Sequence, residues 1–275
     1  MRRARLDAEL VRRGLARSRD HAAELIADAR VTVSGQTAAK SATAVDPGAP
    51  VVVKPDGAQE NWASRGAHKL IGALDAFTDV SVAGKRCLDA GASTGGFTDV
   101  LLRRGADQVI AVDVGYGQLI WRLQNDKKVQ IHDRTNVRTL TAAAIGGAAE
   151  LTVSDLSFIS LRLVLPALIA CTVPDGDLVL MVKPQFEVGK ERLGAGGVVR
   201  DPLLRADAVA GVVNAAGALG WGLAGVAASP LPGPSGNVEY FVHLRTDPGV
   251  TGGNGPANDA DVGGRIAGAV TEGPQ

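Results

Sequence analysis

Four charged residues occupy positions from which they could act on a hydroxyl group: Lys69, Asp155, Lys183 and Glu239. Asp155 and Lys183 each follow a run typical of a buried strand, and the run before Lys183, "LVLMV", is apolar throughout. Glu239 opens the last predicted strand, and Lys69 lies early on a helix ahead of the first one. An amine beside carboxylates at the end of a dry strand predicts proton transfer or charge stabilisation.

The alternative interpretation is structural, because Asp155 and Lys183 could form a buried ion pair that carries no chemistry. Removing both charges from water tends to cancel their attraction, so such a pair adds little stability. The carboxyl ends of strands in an open α/β sheet meet at one edge, and ligands bind there. Several charges predicted at that edge therefore favour a site.

A glycine-rich turn is the second candidate, in "CLDAGASTGGFTDVLLRRG", residues 87–105. The run predicts a strand that ends at Asp89, a turn, and a helix that starts near Gly96 with free N–H donors. Asp113 follows the next strand, where a carboxylate can accept hydrogen bonds from ribose hydroxyls. Ser93 stands where the dinucleotide pattern has its second glycine. The turn thus favours an adenosyl cofactor, while a dinucleotide and a purely structural turn stay open.

Short strands alternate with helix-length segments around these residues. The predicted strands are "KRCLDAG", "QVIAVDV", "VQIHD", "ELTVSDL" and "DLVLMVK", followed later by "VEYFVHLRT". This alternation predicts right-handed crossovers and a parallel, doubly wound sheet. The uncharged run "VAGVVNAAGALGWGLAGVAA" is rich in glycine and alanine, so it predicts a helix ending near Gly217 and a strand around Val226, and not a membrane span.

The first sixty residues have a different pattern from the rest of the chain. Gly14 is placed to end a first helix, Ser18 is placed to be the N-cap of a second, and "RVTVSGQ" alternates like a strand that enters a tight turn. The run "DPGAPVVVKPDGAQEN" is rich in proline and glycine and predicts a domain boundary near residue 60.

The composition is that of a globular chain, with 275 residues of which 45% are apolar and 21% charged. A formal net charge of zero hides an uneven distribution, since residues 1–30 hold eight arginines against five acids, which predicts a local positive field. Cys87 and Cys171 lack metal-ligand spacing, so we expect reduced, buried thiols and no metal. No apolar segment follows "MRRARLDAEL", so no signal peptide is predicted.

Several runs carry a resemblance to a known family: "RLDAELVRRGLARSR", "SRGAHKL", "CLDAGASTGGFTDVLL", "DVGYGQL", "DLSFISL", "VKPQFEVGK", "GGVVRDP" and "SPLPGPSGNVEYF". The sheet domain resembles the FtsJ-like RNA ribose 2′-O-methyltransferases, and the whole chain is similar to their TlyA family, whose members are also called haemolysins. The N-terminal unit resembles a small RNA-binding domain first seen in a ribosomal protein. The resemblance implies a Rossmann-like α/β methyltransferase sheet with a small N-terminal α+β RNA-binding domain.

The predicted domains are residues 3–60 for the RNA-binding domain, 61–66 for a linker and 67–247 for the methyltransferase domain. Residues 248–275 are predicted to form a mostly disordered tail, with one weak helix around Arg265 to Val270. The reason is composition, since glycine and proline supply eleven of the last thirty residues.

By the resemblance, the catalytic residues are Lys69, Asp155, Lys183 and Glu239. The implied cofactor is S-adenosyl-L-methionine, and its expected binding residues are Gly91, Ser93, Thr94, Gly95, Gly96, Phe97, Asp113, Asp133 and Asp155. The residues expected to contact RNA are Arg3, Arg5, Arg17, Arg19, Arg65, Arg134, Arg138 and Lys190. Lys183 would accept the proton of a ribose 2′-hydroxyl or stabilise the forming alkoxide, and the sequence leaves both roles open.

The resemblance implies methylation of cytidine riboses in 16S and 23S ribosomal RNA, within ribosomal subunits in the cytoplasm. It also implies an effect on susceptibility to capreomycin and viomycin. No DNA partner and no stable membrane insertion are expected, and the oligomeric state is left open. The alternatives are a membrane-damaging haemolysin, for which no amphipathic or spanning segment is found, and an RNA-binding protein without catalysis.

Overall fold

The chain folds as two compact units, Met1–Asn61 and Trp62–Gln275. The structure is a computed structural model, and it describes residues 3–16, 18–54, 62–233, 235–246 and 259–273. The break between the units falls one residue beyond the small domain that the sequence predicts.

The N-terminal unit packs two helices with short strands. Its elements are β1 (Ala4–Arg5), α1 (Leu6–Arg12), α2 (Arg19–Ala27), β2 (Val31–Val33), β3 (Gln36–Thr37), β4 (Ala44–Val45) and β5 (Val51–Val53). β2 pairs antiparallel with β3 and β5, and β1 pairs with β4. The predicted caps are confirmed, because Ser18 Oγ accepts a hydrogen bond from the His21 N–H at the start of α2, and Gly14 follows α1 with a φ of 71°.

A seven-stranded sheet forms the centre of the second unit as far as the structure describes it. Its strands are β6 (Arg86–Ala90), β7 (Gln108–Val112), β8 (Val129–His132), β9 (Ala149–Ser154), β10 (Thr172–Val182), β11 (Trp221–Ala228) and β12 (Tyr240–Thr246). The order across the sheet is β11-β12-β10-β9-β6-β7-β8. The strands from β10 to β8 are parallel, as predicted, whereas β12 is antiparallel to both of its neighbours, so the sheet is mixed.

Helices cover both faces of this sheet. They are α3 (Gly66–Ala76), α4 (Gly96–Arg103), α5 (Trp121–Gln124), α6 (Leu165–Ala170), α7 (Pro184–Glu187), α8 (Pro202–Gly217) and α9 (Asp259–Glu272). Short 3₁₀ turns lie at Val137–Thr139, Ala143–Ile145, Leu161–Leu163, Lys190–Arg192 and Ala195–Gly197.

Two apolar cores result, because successive side chains of a strand point to opposite faces. Along β10, Leu178, Leu180 and Val182 belong to the core that also contains residues of α6, α8 and α9. Val179 and Met181 belong to the core formed with α3 and α4. β10 is therefore buried on both faces, as its uninterrupted apolar run predicts.

The C-terminal tail differs from the expectation. Composition predicts mostly disorder, yet Asp259–Glu272 form α9, a helix of 14 residues. Ile266, Ala269 and Val270 are buried in the core beside α8 and β11, so burial of one apolar stripe stabilises a helix whose glycine content disfavours it. Residues 248–258 of the predicted tail lie outside the described residues.

Cys87 and Cys171 are free and buried, which confirms the prediction for both thiols. Burial raises the pKa of the Cys87 thiol to about 12 and also raises the pKa of Cys171. Within the ranges described, none of the helices combines the length and the apolar character needed to cross a bilayer.

Candidate active site

The carboxyl ends of β6, β9 and β10 and the start of β12 meet at one edge of the sheet. The register pairs Ala90 with Ser154, Ser154 with Leu180, and Val182 with Tyr240. β12 is antiparallel, so its first residue lies where the parallel strands end. The segments that flank these strands therefore bring to this edge the glycine-rich turn, Asp155, Lys183 and Glu239.

Two ion pairs occupy this edge. Lys183 Nζ lies 2.6 Å from Asp155 Oδ1 and donates a hydrogen bond of 2.9 Å to Ser157 Oγ. Lys69 Nζ donates to Glu239 Oε2 at 2.5 Å. The Glu239 side chain is 1% exposed and that of Asp155 is 24% exposed, so the Lys183–Asp155 pair is the more open to solvent. The structure thus brings each predicted amine into contact with a predicted acid.

The backbone fixes where these side chains start. Pro184 is the first residue of α7, and a proline there disfavours helical geometry at Lys183, which is extended with φ −111° and ψ 102°. Lys69 lies near the start of α3. Gly233 leaves room for the acid, because a Cβ at this residue would lie 2.6 Å from Glu239 Oε1. A side chain at position 233 would therefore displace the carboxylate.

The turn after β6 is shaped by residues with a left-handed backbone. Gly91, Ser93 and Gly95 have φ values of 92°, 47° and 99°. A Cβ at Gly91 would lie 2.6 Å from the carbonyl oxygen of Asp155, so only glycine permits the two segments to approach this closely. The predicted helix start at Gly96 is confirmed, since α4 begins there.

Two carboxylates lie at the ends of the neighbouring strands β7 and β8. Asp113 accepts hydrogen bonds from the backbone N–H groups of Ser93 at 2.8 Å and Gly115 at 2.7 Å. Asp133 accepts one from the N–H of Gly117 at 2.8 Å. Acids at these strand ends are placed where an α/β sheet binds the ribose and base of a nucleoside.

Asp89, at the end of β6, is a buried acid that the sequence analysis overlooks. Thr98 Oγ1 donates to its Oδ2 at 2.7 Å, whereas its Oδ1 is buried without a partner among the described residues. Burial raises the pKa of Asp89 to about 7, although the Thr98 hydrogen bond acts in the opposite direction. The signal that could have identified it is an acid placed directly before the glycine turn, in "CLDAG".

The turn and its surroundings have the features that an adenosyl cofactor requires. The turn has little room for side chains, acids lie at its rim, and one buried acceptor, Asp89 Oδ1, has no partner in the described part of the chain. An adenosyl cofactor carries hydroxyl and amino donors for such acceptors. The residues present therefore fit S-adenosylmethionine.

Two of the residues predicted to bind the cofactor, Phe97 and Gly96, pack against other parts of the protein. Phe97 is 4% exposed and packs against Phe241, with ring centroids 6.0 Å apart, so its side chain belongs to the core and only its backbone can meet a ligand. Gly96 lies against the start of α3, where a Cβ would be 3.0 Å from the backbone nitrogen of Ala67. Its lack of a side chain thus serves helix packing.

Ser157 and Glu187 are further residues that the sequence analysis does not select. Ser157 accepts the hydrogen bond of Lys183 already described. The Glu187 carboxylate accepts from Ser160 Oγ at 2.6 Å and from the Leu161 N–H at 2.7 Å. Both contacts join the segment after β9 to the segment after β10, and burial of the Glu187 side chain, 2% exposed, is not visible in the sequence.

Three of the residues predicted to contact RNA in the N-terminal unit, Arg3, Arg5 and Arg19, are paired with acids. Arg3 Nε lies 3.2 Å from Asp46 Oδ1. Arg5 and Arg19 both contact Asp7, at 2.9 Å and 3.0 Å from the same carboxylate oxygen. The side chains of all three arginines are more than half exposed.

The other residues predicted to contact RNA differ in their exposure and in how far the structure describes them. Arg17 lies outside the described residues, and of Lys190 only the backbone is described. In the second unit Arg134 and Arg138 are exposed and Arg65 is half-buried. The Arg134 guanidinium carbon lies 4.4 Å from the centroid of a tyrosine ring.

The sheet order, the glycine turn and the acids at the strand ends define a Rossmann-like methyltransferase. The family model of the FtsJ-like methyltransferases matches residues 62–246, and that of the S4 domain matches residues 4–51. The chain belongs to the FtsJ-like methyltransferase family, with an S4 domain at its N-terminus, and groups with the TlyA methyltransferases within that family.

The relatives cover between 78% and 99% of the chain. The 16S/23S rRNA (cytidine-2′-O)-methyltransferase TlyA of Mycobacterium tuberculosis is 62% identical over 245 residues, which are 89% of this chain and 91% of that protein. A solved structure named as a hemolysin from Streptococcus thermophilus has a TM-score of 0.75 and 34% identity, and covers 99% of this chain and 97% of that one. Another, from Lactococcus lactis, has a TM-score of 0.70 and 38% identity, covering 78% and 99%.

Proposed function

We propose that the chain is an S-adenosylmethionine-dependent methyltransferase that modifies ribose 2′-hydroxyl groups of ribosomal RNA. The observation that carries this proposal is the pairing of Lys183 with Asp155 and of Lys69 with Glu239 at the edge of the sheet that holds the glycine turn. Identity of 62% with the M. tuberculosis enzyme supports cytidines of 16S and 23S rRNA as the targets.

When bound, S-adenosylmethionine supplies a methyl group on a sulfonium, which an oxygen nucleophile can attack. The residues proposed to hold it are those of the turn and the acids around it: Gly91, Ser93, Thr94, Gly95, Gly96, Phe97, Asp113, Asp133 and Asp155. The glycines let the turn pack closely against neighbouring segments, and the carboxylates of Asp113 and Asp133 would accept hydrogen bonds from the ribose and base of the bound cofactor.

A ribose 2′-hydroxyl is a weak nucleophile because it keeps its proton at neutral pH. Lys183 is proposed to accept that proton at Nζ when the amine is neutral, or to stabilise the forming alkoxide when it is charged. Asp155 and Ser157 hold Nζ from two sides at 2.6 Å and 2.9 Å, and so restrict where the amine points. Positioning of this kind supplies a large share of the rate gain in such a reaction.

Glu239 and Lys69 are proposed to position the ribose and share its charge. Their pair is almost wholly removed from solvent, with side chains 1% and 10% exposed. Gly233 leaves space beside Oε1 of this carboxylate, since a Cβ at position 233 would lie 2.6 Å from that oxygen. A confined acid with one remaining oxygen can accept a hydrogen bond from a sugar hydroxyl without changing its own conformation.

The experiment that tests the proposal uses tritiated S-adenosylmethionine, the purified full chain and isolated 30S and 50S subunits, followed by mapping of 2′-O-methyl positions. We expect label at cytidine riboses. Absence of label in both subunits and in free rRNA would leave an RNA-binding protein without catalysis. Because two structural relatives are named hemolysins, leakage from phospholipid vesicles is measured in parallel, with Lys183→Ala as the matched variant.

A further inference from the structure

We propose that Asp7 is a positioning residue that holds Arg5 and Arg19 side by side as a site for one backbone phosphate of RNA. The inference rests on the proposed function, since it specifies how the N-terminal unit would meet its RNA. Asp7 is an acid within a basic surface. Its negative charge alone would be expected to weaken RNA binding, whereas the proposal assigns it a role that strengthens binding.

The contacts show how close the two guanidinium groups are. Arg5 Nε donates to Asp7 Oδ1 at 3.1 Å and Arg5 Nη2 donates to Oδ2 at 2.9 Å. Arg19 Nη2 donates to the same Oδ2 at 3.0 Å. Two nitrogens bound to one oxygen cannot be farther apart than the sum of these distances, about 5.9 Å. Arg5 and Arg19 are fourteen positions apart in the chain, so the acid is what joins them.

Two cations at this distance repel each other unless an anion lies between them. The Asp7 side chain is only 7% exposed, and its Oδ1 also accepts from the Ala8 N–H at 2.8 Å, so the carboxylate cannot swing away. The hydrogen bond from Arg5, against the opposing effect of burial and with further help from Arg19, holds the pKa of Asp7 well below its usual range. Asp7 is therefore ionised at neutral pH.

The chemistry of the exposed side points to a phosphate. The Arg5 and Arg19 side chains are 53% and 60% exposed. A guanidinium carries five N–H donors, and the contacts with Asp7 engage two of Arg5 and one of Arg19. Donors directed to solvent from two adjacent planar groups match the oxygens of a phosphodiester, which accept paired N–H bonds from arginine.

A second acid in α1 shows the contrasting arrangement. The carboxylate of Glu9, also buried, accepts from Arg12 Nη2 at 2.5 Å and from Arg13 Nε at 2.7 Å. Arg13 however also donates to the carbonyls of Ala49 at 2.7 Å and Pro47 at 2.8 Å, so its guanidinium ties α1 to the segment before β5. Glu9 is thus a matched control, a buried acid with two arginines of which one, Arg13, serves the fold.

The test compares Asp7→Asn with Glu9→Gln in the full chain, by fluorescence anisotropy with purified 23S rRNA fragments at several salt concentrations. Asn keeps an oxygen for the Ala8 N–H but loses the charge that holds two guanidinium groups together. We expect Asp7→Asn to weaken binding about 10-fold and to reduce the slope of log K against log salt by about one. Glu9→Gln should change affinity less than about 2-fold, and thermal denaturation checks that both variants fold.

A second comparison keeps the proposal testable if Asp7→Asn unfolds. The variant R5K/R19K preserves both positive charges but replaces the planar guanidinium groups, which can donate paired hydrogen bonds, by ammonium groups. We expect the same loss of affinity for RNA as for Asp7→Asn. In an R5A/R19A background, Asp7→Asn should no longer weaken binding. Unchanged or tighter binding by folded Asp7→Asn, or wild-type affinity of R5K/R19K, would overturn the proposal. If the wild-type chain itself binds rRNA without salt dependence, the proposed RNA-binding function fails instead.

Discussion

Lys69 and Glu239 lie 170 positions apart in the chain and form an ion pair of 2.5 Å. The contact joins α3, which precedes the sheet in the sequence, to the residue directly before β12, the last strand of the sheet in the sequence. This pair can form because β12 runs antiparallel to β10 and so begins at the edge where the parallel strands end. Reversal of one strand thus completes the set of charges at the candidate site.

Lys183→Ala tests the role of the amine. We expect methyl transfer to fall at least about 100-fold, since proton transfer by a positioned group contributes about 10²–10⁴-fold, while affinity for S-adenosylmethionine stays within a few-fold. Methyl transfer to ribosomal subunits and calorimetric cofactor binding are measured together. The matched control is Lys85→Ala. Lys85 Nζ lies 2.9 Å from Asp177 Oδ2, and this ion pair is remote from the candidate site. Transfer by Lys183→Ala at the level of Lys85→Ala would contradict the assignment.

Glu239→Gln tests the buried pair. Removing one partner leaves the other charge buried, which costs about 3–5 kcal/mol in comparable cases, so we expect a lower free energy of unfolding together with lost transfer. The double variant K69M/E239Q removes both charges and should regain much of the stability while remaining inactive. Urea denaturation and methyl transfer provide the two measurements. Recovery of activity with stability would mean that the pair serves only the fold.

Asp89 gives a pH dependence with a definite sign. The pKa of its carboxyl is raised by burial to about 7 in the folded chain, above the ordinary value near ~3.9 of an unfolded aspartate. Between these values the folded state keeps a proton that the unfolded state releases, so the free energy of unfolding falls as pH rises from about 4 to 7. Each unit of pH contributes at most about 1.4 kcal/mol.

Asp89→Asn removes this titration. We therefore expect wild type to lose stability relative to the variant as pH increases through that range, with no further relative change above pH 7. Urea denaturation of both proteins at a series of pH values measures the difference. Parallel stability curves would show that Asp89 stays ionised throughout.

Glu187→Gln tests whether the segment after β9 must be held in place. Its carboxylate fixes Ser160 and Leu161, a few residues beyond Asp155, and Gln offers only one acceptor oxygen for their two donors. Displacement of catalytic groups by about 1 Å can cost about 10²-fold in rate, so we expect kcat to fall about 10-fold or more with a smaller change in KM for S-adenosylmethionine.

The control for Glu187→Gln is Asp177→Asn, another buried acid with several donors. It should lower the melting temperature but leave kcat unchanged at temperatures where the variant is folded. Equal losses of kcat in both variants would indicate a general loss of structure and remove the positioning role of Glu187.

Local signals in the sequence identify many elements of the fold, including most of those that hold the site. Apolar runs located β6 to β10, Ser18 and Gly14 marked helix ends, and the turn before Gly96 marked the start of α4. These predictions succeed because strand burial, capping and glycine turns depend on a few neighbouring residues. Asp155 and Lys183 followed directly, since each is the residue after a predicted strand.

Features that depend on distant contacts were not predicted. The contact of Lys69 with Glu239 follows from strand order and the direction of β12, and burial of Asp89 follows from packing on both sides of β6. Phe97 belongs to the core because Phe241, far along the chain, lies beside it. The helix α9 forms for the same reason, since its stability comes from the surface that covers it and not from its composition.

The helix α9 contacts the backbone of β11 at the outer edge of the sheet. β11 is the outermost strand on its side of the sheet, and its pairing with β12 is irregular between Leu223 and Gly225. Arg265 of α9 donates to the carbonyl oxygens of Leu223 and Ala224. Unpaired carbonyls along an outer strand invite another polypeptide to add itself there and begin aggregation. The guanidinium of Arg265 donates hydrogen bonds to two such carbonyls, so α9 makes them unavailable for pairing with a strand of another chain.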